Sequence, residues 1–425
     1  MRRASWILLG LASLAMAAPL RAETLAITGA RIHTLAGAGV VENGVILVED
    51  GLISAVGADL PVPAEATVID AAGRVVTPGL FAPFSSIGLR EVSGVSETND
   101  HLVTDAAAGA AFSVAAAVNA ESVLFGVARV GGVTRALTAP APGNSIFAGQ
   151  ASLLRLDGVR SPVFERDVAL VAAVGEDGAG LAGGSRALAL QSLTRAFEEA
   201  ALYRESTPVR RRAQASSLDL PRQDLEALIA FSGSGRPLAV HANRASDILG
   251  AVRALRAMDL DPVIIGGAEA WRVADVLAEA GVPVILDPLA NLPLSYDTLG
   301  GRLDNATLLH EAGVAVAFME EAGHSVREIR QYAGNAVAHG LPWEVALAAI
   351  TRTPAQIWGV DDRLGAIAPG MIADLVVWTG DPLELSTWAE TVLVEGREIP
   401  MDSRQLRLRD RYRNPRALYD GPVDR

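Results

Sequence analysis

Four short runs, RPLAVHA, DPVIIGG, GVPVILDP and GVAVAFME, recur between residues 236 and 320 and constrain the fold more than any other feature of the chain. Each is almost wholly apolar over the length of a strand, the pattern of a strand buried on both faces. Each also neighbours an amphipathic stretch such as ASDILGAVRALRAM or AWRVADVLAEAG. Strands that alternate with helices in this way pair in parallel. Continued from about Thr77 to Val360, the pattern predicts an α/β fold, an eight-stranded parallel (β/α)8 TIM barrel. Within it, SRALALQSLTRAFEEAALYRE reads as a long helix, and Arg210, Arg211 and Arg212 after it as a solvated connection. The run GEDGAGLAGGS at 175–185 lacks the terminal Lys-Ser/Thr of a phosphate loop and reads as a flexible connection after a strand.

The two ends of the chain have a different texture. Residues 23–76 hold short alternating runs (LAITGARIHTL, GVILVEDGLISAVG, ATVIDAAGRVV) broken by Gly, Asn-Gly and Asp-Gly, the signature of hairpins. The same texture returns at LGAIAPGMIADLVVWTG and ETVLVEGREI, so residues 23–76 and 361–400 are expected to form one small β-sandwich flanking a barrel of residues 77–360. Residues 401–425 read as a polar tail.

At the N-terminus, Arg2 and Arg3 precede an apolar run from Trp6 to Ala18 that is too short to span a bilayer, and Ala17, Ala18 and Ala22 offer small residues for cleavage. Residues 1–22 read as a secretion signal, with a mature chain beginning near Glu23 that has no membrane span and is periplasmic or secreted. The absence of cysteine leaves neither a disulfide nor a lipid-anchor thiol. A net charge of −13 excludes a basic nucleic-acid surface. The chain contains no lysine, which closes the route to a metal site bridged by a carbamylated lysine.

The arrangement of a sandwich from both ends around a barrel, opened by VTPGL and closed by LGAIAPGMIADLVVWTGDPLE, resembles the amidohydrolase superfamily, and within it the exported imidazolonepropionase-like members. GLREVSGVSETND at 88–100, PGNSIFAGQASLLRLDG at 142–158 and AGNAVAHGLPWEVALAAITRTPAQIWGV at 333–360 extend the resemblance over nearly the whole mature chain.

That resemblance implies a divalent ion at the barrel mouth that generates hydroxide from bound water. Such a catalytic ion needs at least three protein ligands and one open position. The family's first two ligands are histidines two residues apart on strand 1, a spacing that points both side chains the same way. Here those positions hold Phe84 and Ser86. The strand 5 histidine is present as His241, whereas the strand 6 histidine aligns with Gly266. At the strand 8 position of the aspartate base stand Glu320 and Glu321, whose extra methylene displaces the carboxylate. His101 and His324 could join His241 and Glu321 in a rebuilt cluster, and Asn243, Arg244, Glu269 and His324 are candidates for contacting a ligand at the mouth.

Two function classes follow. In the first, the metal site is depleted and the protein is a pseudoenzyme, or a partner subunit of an active homologue, within an oligomer. In the alternative, it hydrolyses non-peptide or dipeptide-like carbon–nitrogen bonds, such as those of small amides or acylated amino acids. The cofactor expectation is correspondingly none, or a single divalent ion with zinc as first choice.

Overall fold

The computed structural model describes residues 24–104, 109–158, 160–207, 219–320 and 325–413. Five strands open the chain: β1 (Thr24–His33), β2 (Val40–Glu49), β3 (Leu52–Gly57), β4 (Thr67–Asp70) and β5 (Val75–Pro78). The barrel strands follow as β6 (Leu80–Ser85), β7 (Val133–Thr138), β8 (Phe147–Arg155), β9 (Val163–Ala173), β10 (Leu238–Ala242), β11 (Pro262–Gly266), β12 (Val284–Leu286) and β13 (Val316–Phe318). The chain then returns through β14 (Leu375–Trp378), β15 (Ala389–Val394) and β16 (Arg397–Glu398).

Strands β6 to β13 form one eight-stranded sheet in sequence order, with β13 lying against β6 so that the sheet nearly closes. Inner and outer layers are set by strand alternation. Leu238, Val240 and Ala242 of β10 pack into the same apolar layer as Ile248, Ala251 and Leu255 of the helix Ala245–Ala257, while Ala239 packs with Val263, Ile265, Ile285 and Ala317 inside the barrel. His241 shares the parity of Ala239, so the strand itself aims it inward.

The expectation of eight parallel strands needs one correction. β8 runs antiparallel to both β7 and β9, whereas the remaining barrel pairs are parallel. The connections 139–146 and 156–162 that flank β8 are too short to carry the crossover that parallel neighbours require, so the chain turns back as hairpins. A second correction falls on the glycine-rich run. Gly175–Leu181 is a short helix rather than a flexible loop, and Ser185 then caps the long helix Arg186–Glu205 by accepting a hydrogen bond from the Leu188 amide. The arginine triplet at 210–212 lies outside the described residues.

The chain ends meet where β5 pairs antiparallel with β14, Val75–Pro78 against Leu375–Trp378. The result is one branched sheet in the order β16-β15-β14-β5-β1-β2-β3, with β4 pairing to β1, rather than two separate sheets. Ile27, Ile32, Ile46, Val76, Leu375 and Leu393 share its core. A buried ion-pair network fastens it to the barrel. Arg135 of β7, only 2% exposed, meets Asp374 at 2.6 Å and Glu395 at 3.1 Å, and Arg155 of β8 meets Glu395 at 3.0 Å. Within the stretch read as a polar tail, Arg404–Tyr412 is a helix capped by Ser403. No helix among the described residues is long and apolar enough to cross a membrane.

Candidate functional site

The C-terminal ends of the barrel strands enclose a cavity of about 320 Å³. This is the face on which barrels of this class carry their chemistry, because the loops that can vary gather there. Phe84 and Ser86 at the end of β6, His241 on β10, Gly266 on β11, Asp287 after β12 and Glu320 after β13 all line it. The residues read as former and present ligand positions therefore do share one cavity.

Phe84 sets the character of that cavity. Its ring lies 5.3 Å from the His241 imidazole, centroid to centroid, at an interplanar angle of 75°, an edge-to-face contact. Carbon thus faces the imidazole from the position where the resemblance implies a nitrogen ligand. His241 Nε2 is buried without a hydrogen-bond partner, and burial pulls the imidazole pKa down from 6.5 to about 4. The group is neutral at pH 7, with burial as the cause.

Gly266 leaves no room for a side chain. Its φ of +95° disfavours any side chain, and a Cβ there would sit 2.5 Å from Asn243 Oδ1. Asn243 holds that place because its Oδ1 accepts from the Ala268 amide at 3.3 Å. Ser86 is buried at the end of β6 and its carbonyl accepts from the Leu89 and Arg90 amides, so its backbone closes a turn beneath the cavity.

Of the strand 8 pair, Glu320 lines the cavity and its Oε2 accepts from the Ser325 amide at 3.1 Å. Glu321 and His324 lie outside the described residues. Asn243 and His101 line the cavity. The His101 imidazole is held below its ordinary pKa by burial and then by the nearby Arg90, and its Nδ1 is buried without a partner.

Arg244 and Glu269 are committed elsewhere. Arg244 donates two hydrogen bonds to Asp247, at 3.1 and 2.8 Å. Glu269 Oε2 accepts from the Ala245 amide at 3.1 Å, capping the helix Ala245–Ala257, and the same carboxylate lies 3.7 Å from Arg272. Both side chains thus organise the loops around the site.

Three charged residues on the wall were not among the sequence candidates: Arg90, Asp177 and Asp287. Asp287 had a legible signal, since it immediately follows the apolar run of β12, where a barrel strand delivers its side chain to the mouth. Asp177 stands in the helix Gly175–Leu181, and its carboxyl is raised above 3.8 by burial first and then by Glu176 and Asp297. Asp297 is itself buried, accepting from the Glu176 amide and from Arg186, each at 2.6 Å.

Among the described residues, the donor set does not fit a catalytic divalent ion. Of the four positions on strands 1, 5 and 6 where the resemblance implies ligands, only His241 offers a nitrogen, and its imidazole packs against a phenyl ring. Among the described residues, no group of three or more His, Asp or Glu is arranged to hold a metal.

The fold, a barrel carrying a small sheet made from the chain ends, is shared with solved structures. An amidohydrolase from Thermotoga maritima has the same fold at a TM-score of 0.79 and 24% identity, covering 89% of this chain and all of that one. A prolidase complexed with N-methylphosphonate-L-proline aligns at a TM-score of 0.56 and 16% identity, covering 88% of this chain and 99% of the other. In sequence, the amidohydrolase tasK of Hapsidospora irregularis is 27% identical over 394 residues, which cover 83% of this chain and 39% of that protein. The chain thus spans about two-fifths of that relative's length. Residues 246–399 match the amidohydrolase family model.

Proposed function

We propose that this chain is an exported amidohydrolase-family pseudoenzyme, one that keeps the ligand cavity of the barrel and has given up metal-dependent hydrolysis. The observation that carries this reading is the edge contact of Phe84 with the buried, unpartnered His241. A hydroxide-generating ion needs lone pairs where this site offers a phenyl edge and a glycine. Asn243 against Gly266 supports the same conclusion, because it fills the space a strand 6 ligand would enter. The protein's role is then to bind a small ligand at the mouth, either alone or beside an active homologue in a mixed oligomer.

Glu320, His101 and His241 share the cavity wall, and this favours a second reading, hydrolysis through a rebuilt site. A hydrolysis screen separates the two. The full chain is assayed against N-acylated amino acids and dipeptides, Xaa-Pro dipeptides included, with added zinc and with chelator. The pseudoenzyme reading expects no product above the level given by a Glu320→Gln variant. Turnover that chelation abolishes and His241→Ala removes would establish the second reading instead.

A further inference from the structure

The charge of the cavity wall points to the kind of ligand it takes. Among the described residues, the carboxylates of Asp177, Asp287 and Glu320 face one guanidinium, that of Arg90, so the wall carries an excess of negative charge. This balance holds however the four groups pair with one another. A concave, partly apolar wall of one sign concentrates the opposite charge from solvent. One further feature suits an organic cation: the aromatic ring of Phe84 lines the same cavity as the carboxylates.

We propose that the cavity binds a small organic ammonium compound, its charged nitrogen among Asp177, Asp287 and Glu320 and its apolar body against Phe84. The proposal rests on the pseudoenzyme reading, because a resident divalent ion would neutralise the same wall. The raised carboxyl of Asp177, with Glu176 and Asp297 adding to the effect of burial, is consistent with negative potential at this rim.

Three probes of nearly one shape test it: benzylamine, benzamide and benzoate, respectively cationic, neutral and anionic at pH 7. Each is titrated into the full chain in the presence of chelator, with binding read by calorimetry and thermal shift. Benzylamine is expected to bind and to stabilise the protein, with affinity falling as salt rises, while benzamide and benzoate bind at least tenfold more weakly. Asp177→Asn, on the cavity wall, should weaken benzylamine roughly three- to tenfold, the effect of removing one screened charge. Glu320→Gln, which keeps an acceptor for the Ser325 amide, should do the same. Equal or tighter binding of benzoate or benzamide, or no binding of benzylamine by protein that is folded by circular dichroism, overturns the proposal. Zinc content measured on the same preparation before chelator is added reports separately on the pseudoenzyme reading, so either can fail without the other.

Discussion

At the scale of the residue, His241 is the most informative side chain. A buried imidazole whose Nε2 has no hydrogen-bond partner is held by burial at a pKa of about 4. The consequence is a defined pH dependence. Below about pH 6.5 the imidazole of the unfolded chain takes up a proton that the folded chain refuses until about pH 4, so acid favours unfolding through that window. The full effect is ~3 kcal/mol, from 1.36 kcal/mol per pKa unit. Urea unfolding of the wild type and of His241→Gln, followed from pH 7 to pH 4, should show the wild type losing stability relative to the variant by about that amount. Parallel curves would mean that His241 is solvated or paired in the folded state. His241 and Glu320 both line the cavity, and strand parity and the end of an apolar run are the local signals that mark them in the sequence. Arg244 and Glu269 could not be placed in the same way. The partner of each, Asp247 or the Ala245 amide, is chosen by how a helix leaves the sheet.

At the scale of the element, β11 ends in a glycine that is packed in without a side chain. Gly266 ends the strand at φ +95° with the Asn243 carboxamide against it, so the backbone and a neighbouring side chain have both adjusted to the lack of a side chain. Gly266→Ala is expected to cost about 2–4 kcal/mol, combining left-handed backbone strain with overpacking. Asn243→Ala in the same chain should recover only the overpacking part. Chemical denaturation of the two single variants and the double variant measures this, and an unchanged midpoint for Gly266→Ala would show that the strand end has room for a ligand side chain. The antiparallel course of β8 belongs to this scale too. Apolar periodicity marks a strand but not its direction, which here follows from the shortness of residues 139–146 and 156–162. The helix Gly175–Leu181 was equally hidden, since glycine-rich composition reads as a loop and the Asp297 carboxylate that accepts the Glu176 amide arrives from far along the chain.

At the scale of the whole molecule, the plan was legible because it rests on repetition. Apolar runs alternating with amphipathic helices announced the barrel, and matching hairpin texture at the two ends announced the sheet they build together. What the pattern did not contain is the join between them, in which Arg135 of the barrel is buried against Asp374 and Glu395 of the returning strands. A lone arginine in a strand gives no hint of partners more than two hundred residues away. The barrel is of ordinary construction, and on the proposed reading its mouth holds no divalent ion. The most direct test is the metal content of the full chain after exposure to zinc and gel filtration, determined by elemental analysis beside His241→Ala. The account predicts far less than one zinc per chain in the wild type and no difference in the variant. Near-stoichiometric zinc that disappears with His241→Ala would contradict it.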